Sequence, residues 1–211
     1  MSPAGAEAAA GRDWLSAWPD ALAFAAGLAV AWFAGWNTTD LVWSLWLASL
    51  VVGYAMIVWM IFSRVNSSGL MIGGLFLLVF FTFHFGMFHL VHSVFLSLFF
   101  PVVERGDGFV NASLYGEVVH RYWMFLPVAA LAERAHFRRP PPAATAREAF
   151  QAFTDKKSNA MMAPYKNVIR LHLLIFFFAA AHFLKLDSFL IYAVVYAVYF
   201  FPWRLVRPAT S

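Results

Sequence analysis

The sequence predicts an all-α, polytopic integral membrane helix bundle of about six transmembrane helices, and three observations predict it. Hydrophobic residues make up 62% of the 211-residue chain and charged residues only 12%, where an ordinary soluble domain is about half apolar and a quarter charged. Several apolar runs reach the roughly 18 residues that mark a spanning helix. Lys and Arg cluster unevenly in the connecting segments, as topology signals do.

The runs fall at 17–36, 40–62, 70–98, 116–134, 166–184 and 188–203, in a single membrane domain. The N-terminal stretch MSPAGAEAAAGRDWLSAWPD makes a poor signal peptide, because its first apolar run is long enough to span and no clean cleavage site follows a short apolar core. An anchored first helix is expected instead. It carries Ala23, Gly27, Ala31 and Gly35 four residues apart, a small-residue stripe that permits close helix approach or reflects simple alanine richness. The third run exceeds what a bilayer needs at about 1.5 Å per residue, so it must tilt, protrude or bend. Pro127 should kink the fourth run. Gly73 and Gly74 in the third read as packing or kink positions.

Positive charge orients the set. Arg12, Arg64, Arg134, Arg138, Arg139, Arg147, Lys156, Lys157, Lys166, Arg204 and Arg207 lie on one side, against Arg105 and Lys185 on the other. That bias puts both termini and the large loop, 135–165, in the cytoplasm. The loop opens with the stiff run RRPPP and continues as TAREAFQAF. Thr145 and Glu148 there stand at capping-box spacing, and Phe150 and Phe153 would lay a short helix on the membrane surface. Asn37-Thr-Thr and Asn111-Ala-Ser match glycosylation acceptors, a pattern common by chance.

Several function classes drop out. With no cysteine there are no disulfides, thiolate ligands or cysteine nucleophiles. The net charge of +4 sits in loops and forms no basic patch, so nucleic acid is not an expected partner. Asp20, Asp40, Glu117, Glu133 and Asp187 all fall near helix ends. That leaves no mid-membrane carboxylate for a di-iron site or a proton relay. No phosphate-cradling loop or dinucleotide fingerprint occurs, and no serine-protease arrangement is visible.

What remains is imidazole. FFTFHFGMFHLVHSVFLSLFF places His84, His89 and His92 in an apolar run. At 100° per residue they fall at about 0°, 140° and 80°, on one face. His84 and His92 are about 12 Å apart along the axis, too far to grip one ion, whereas His89 and His92 can co-ligate. His120, His172 and His182 come from other helices, while His136 lies in the basic loop. Depth counting suggests two layers: His84 with His172, and His92 with His120 and His182, His89 fitting either. A transition-metal ion (zinc, copper or iron) on imidazoles, a haem b between two helices, and histidines that only hydrogen-bond neighbouring helices all satisfy the pattern. Arg121 and Arg170 would snorkel to the interfaces or meet a haem propionate or lipid phosphate.

FHFGMFHLVHSVF together with MMAPYKNVIRLH resembles a family of small multi-spanning bacterial membrane proteins known only as a domain of unknown function. The shared positions are His84, Gly86, His92, Pro164, Tyr165, Arg170 and His172, with His120 as a further match. His89 and His182 are particular to this chain. An acidic residue of the family's second helix is replaced here, where Ala48 or Ser49 stands. The resemblance covers Trp43 to His172 and implies the fold, a bacterial inner-membrane location and a candidate site rather than a reaction. The expectation is a histidine-lined intramembrane site for redox or metal-handling chemistry. His84, His92, His120 and His172 are its metal ligands, and Arg121 and Arg170 are the cofactor-binding cations. The alternative is a non-catalytic accessory subunit of a larger membrane complex, its histidines free to ligate a pigment such as chlorophyll. The aromatic abundance and the small-residue stripe point that way. A transporter is disfavoured by the missing internal repeat and mid-membrane charge.

Overall fold

The structure, a computed structural model, describes residues 3–63, 68–102, 110–137, 162–184 and 189–201. Among these there is helix and no strand. The elements are α1 (Pro3–Phe33), α2 (Thr38–Phe62), α3 (Ser68–Phe99), α4 (Ala112–Tyr122), α5 (Leu126–Ala132), α6 (Met162–Phe183) and α7 (Phe189–Phe200). Each predicted run therefore contains helix. Among the described residues, only α2 and α3 hold stretches long and apolar enough to cross a membrane, Thr38–Phe62 and Met71–Phe99; the apolar parts of α1 and α6, Trp18–Phe33 and His172–Ala181, are shorter. The predicted surface helix near 145–153 lies outside the described residues.

Short-range chemistry sets the helix ends. α1 stops at Gly35, whose φ of 64° suits a residue without a Cβ. The amide of Trp36 reaches back to the Ala31 carbonyl and that of Gly35 to Trp32, the paired bonds of a Schellman close. α2 opens on a capping box. The Asn37 side chain accepts from the amides of Thr39 and Asp40, and Asp40 accepts from the Asn37 amide at 2.9 Å. Asn111 caps α4 in the same way, accepting from the Leu114 amide at 2.9 Å. Both Asn-x-Ser/Thr matches are thus helix N-caps, for which asparagine is a preferred residue.

The fourth run departs from a single kinked helix. α4 ends at Tyr122, one 3₁₀ turn covers Trp123–Phe125, and α5 starts with Pro127 in its first turn. Proline offers no amide to the Trp123 carbonyl four residues back; the Leu126 amide takes that carbonyl instead, tightening the turn. In contrast, α3 runs unbroken through Gly73 and Gly74 for 32 residues, about 48 Å at 1.5 Å per residue.

α2 is the axle of the bundle. It packs against α3, α4, α5, α6 and α7, and Leu41–Ser49 are buried without a break, as expected of a helix apolar all round. Half of its most apolar stretch is buried, against 17% for α3. α3 instead buries one stripe, with Phe81, Phe85, His89, His92, Ser93, Leu96 and Ser97 inward and Phe76, Val79 and Phe83 outward. Polar groups inside and apolar groups outside is the reverse of a water-soluble helix. α1 lies against α5. Its Ala23, Gly27 and Ala31 are buried, and Gly27 faces the Tyr196 hydroxyl of α7. The small-residue stripe is consumed within the chain, so it no longer argues for an outside partner, and Gly35 belongs to the turn.

Candidate functional site

Two apolar clusters frame a polar layer. One gathers Ile57, Ile61, Phe81, Phe85 and Val168; the larger includes Trp43, Trp46, Leu96, Leu174 and Phe178. Between them stands His89, its ring 4.3 Å from that of Phe85 and 6.0 Å from that of Trp46. Val168 sides with Phe85 and Phe178 with Leu96, so α3 and α6 run the same way, as the charge bias requires of the two segments.

His92 meets His172 across this seam. His92 Nε2 lies 2.9 Å from His172 Nδ1 and 3.0 Å from His172 Nε2, with ring centres 4.0 Å apart at 76°. His172 Nδ1 is also 3.2 Å from the Val168 carbonyl; donating its hydrogen there leaves Nε2 with a bare lone pair. His92 is 2% exposed, and its Nδ1 is buried without a hydrogen-bond partner. An unsatisfied buried polar atom costs about 1–3 kcal/mol, so the pair is polar chemistry the fold carries at a loss.

His89 is the neighbour, its ring centre 6.2 Å from that of His92. Its Nδ1 donates to the Phe85 carbonyl at 3.0 Å, and its Nε2 faces the Ser49 hydroxyl at 3.2 Å. Trp46 Nε1 donates to the His89 carbonyl at 2.9 Å. Ser93 pairs with the Tyr115 hydroxyl at 2.9 Å, and the Tyr115 ring stacks on Trp46. Three helices, α2, α3 and α4, thereby fix the orientation of this layer.

The predicted layers are corrected. His172 pairs with His92 rather than His84, a slip of eight residues or about 12 Å along α3, because α3 extends well before the level at which α6 begins. His84 does not share the inward face. It is exposed, with its ring stacked on Phe80 and edge-on to Phe88. His120 is exposed in the last turn of α4 and joins neither histidine group. Arg121 is exposed and ion-paired with Glu117. Arg170 falls within α6, and its side chain, like that of His182, lies outside the described residues. Among the described residues, no three His, Asp or Glu side chains converge as a metal cluster.

Two imidazoles on opposite faces of one haem iron need nitrogens roughly 4 Å apart, twice a metal–nitrogen bond of about 2.0–2.1 Å. Here they stand 2.9–3.0 Å apart with the rings in contact. Adjacent imidazole ligands of a tetrahedral ion have nitrogens about 3.4 Å and ring centres about 5 Å apart, so the pair, at 2.9–3.0 Å and 4.0 Å, must open by about 1 Å to share an ion.

A family model described as "Family of unknown function (DUF6498)" matches residues 7–200. The chain belongs to this family. DUF6498 has no assigned reaction, and no curated protein and no solved structure matches the chain. Ser49, the partner of His89, stands within the buried stretch of α2. His89, outside the expected ligand set, shares the inward stripe with His92, and their three-residue spacing is the sequence signal of that.

Proposed function

We propose that this DUF6498 protein is a multi-pass integral membrane protein whose α3–α6 seam binds one transition-metal ion through His92 and His172. Its place would be the bacterial inner membrane, with six helices entering the bilayer and both termini cytoplasmic. Support for the bilayer comes from α3, whose outward stripe is largely apolar while His89, His92, Ser93 and Ser97 face inward. Lys/Arg asymmetry supports the orientation.

The single observation that carries the metal is the approach of His92 Nε2 to both ring nitrogens of His172. That nitrogen spacing lies a few tenths of an ångström below the separation of two ligands on one tetrahedral ion. Imidazole-only donors suit zinc, copper or iron. With two histidines from the protein, the remaining coordination positions are open to water or to a substrate, which suits handling or presenting an ion more than burying it structurally. When bound, the ion would supply Lewis acidity or, for copper or iron, a redox centre; the chain orients His172 through the Val168 carbonyl and excludes bulk water with Phe85 and Phe178. Titration with Zn(II) in mild detergent tests this. The wild type should saturate near one equivalent, and His92→Ala and His172→Ala should each abolish binding, with His84→Ala as the unaffected control. Equal binding by all four sinks the proposal.

A second reading has its own observation. α3 leaves most of its apolar stretch uncovered within the chain, including Phe76, Phe83 and Phe95, as a subunit seated in a larger membrane complex would. Such a subunit co-purifies with partners in fixed proportion and fails to hold together without them. A chain that stays folded and monodisperse alone removes this reading.

A further inference from the structure

Catalytic zinc sites commonly take three protein ligands and keep one position open, and the His92–His172 pair supplies only two. The best placed third group is His89, three residues before His92 on the inward stripe of α3. Its Nδ1 donates to the carbonyl four residues back, Phe85 at 3.0 Å, as that of His172 donates to Val168. Metal-ligating histidines are typically oriented by donating the other ring N–H to such a group. Both side chains therefore present Nε2 as the lone-pair nitrogen. In His89 that lone pair is occupied by the Ser49 hydroxyl at 3.2 Å. Ser44, Ser93 and Ser97 donate to carbonyls of their own helices, whereas Ser49 reaches across from α2 to α3.

Distance makes the exchange small. The His89 and His92 ring centres are 6.2 Å apart, and two imidazoles on one tetrahedral ion have centres about 5 Å apart. The ring centres must approach by roughly 1 Å and the His89 ring must turn its Nε2 from Ser49 toward the seam, at the expense of one hydrogen bond. We infer that His89 is the third ligand of the site, held back by Ser49: an arriving ion draws His89 Nε2 off the serine hydroxyl and onto itself. Ser49 thus sets the affinity, and the loaded site carries three imidazoles and one open position. This rests on the His92–His172 reading above.

The test is Zn(II) affinity in detergent, with the number of bound imidazoles read by X-ray absorption, for the wild type, Ser49→Ala, His89→Gln and His172→Ala. Ser49→Ala should bind roughly two- to tenfold more tightly, the factor by which one net hydrogen bond shifts an equilibrium. His89→Gln should bind more weakly and lower the count from three imidazoles to two, and His172→Ala should not bind. If Ser49→Ala misfolds, the imidazole count of the wild type against His89→Gln still decides whether His89 is a ligand. A wild type with two imidazoles and an affinity indifferent to Ser49 overturns the role of His89 and leaves the pair standing. A wild type that binds no zinc overturns both.

Discussion

Replacing Gly27 with alanine puts a methyl group where α1 meets α7. An ideal Cβ there lies 2.0 Å from the Tyr196 hydroxyl oxygen, 2.9 Å from the ring carbon that bears it and 3.4 Å from Phe125. Ordinary contact starts at 3.4 Å, so the hydroxyl must retreat by 3.4 − 2.0 = 1.4 Å. Tyr196 is 2% exposed and its ring stacks on Phe24 at 5.4 Å, which leaves no empty direction. Overpacking of this kind costs about 1–3 kcal/mol, and the depth of the overlap places it at the upper end. Alanine returns roughly 1 kcal/mol of helix propensity. The net expectation is a loss of about 2 kcal/mol, read from the midpoint of an SDS titration in mixed micelles. Adding Tyr196→Phe removes the closest atom and should recover about half of that loss through the coupling of neighbouring sites. A Gly27→Ala protein as stable as the wild type, and indifferent to Tyr196→Phe, would refute the close approach of α1 to α7.

Two further expectations concern the frame around the site. Tyr122 donates to the Asp40 carboxylate at 2.8 Å while Asp40 caps α2; Tyr122→Phe should lose about 1.5–3 kcal/mol, the worth of a hydrogen bond to a charged group, and an unchanged midpoint in the same titration would contradict it. Because the chain has no cysteine, single cysteines can report topology without a background. Placed at Arg105 or Lys185 they should react with an impermeant maleimide on intact cells, and at Arg12, Arg147 or Arg207 they should stay protected; the opposite pattern would reverse the orientation.

How much was legible in the sequence depends on the range of the interaction concerned. Among the described residues hydropathy located each apolar helical run, since the driving term is the local apolar content of each segment. Caps are legible less readily: Asn37 and Asn111 stand out in the sequence only as matches to a glycosylation pattern common by chance, and both serve as N-caps. Pro127 signalled an interruption, and the backbone resolved it as a 3₁₀ turn rather than a kink. The site was legible only in part. Periodicity set His89 and His92 on one stripe of α3, but it could not fix how far α6 slides along α3, and that single offset exchanged His84 for His92 as the partner of His172. Nor does a helical wheel fix its own rotation, so His84 was assigned inward and stands outward beside Phe80 and Phe88. Ser49 was invisible as a site residue because its contact with His89 spans 40 positions.

The most direct test of a metal between His92 and His172 is elemental analysis and an absorption spectrum on one sample, purified in mild detergent without added metal or chelator. About one equivalent of zinc, copper or iron, lost in His172→Ala, with no Soret band, is the predicted result. A Soret band, or a folded protein free of metal that takes none up on titration, would contradict it.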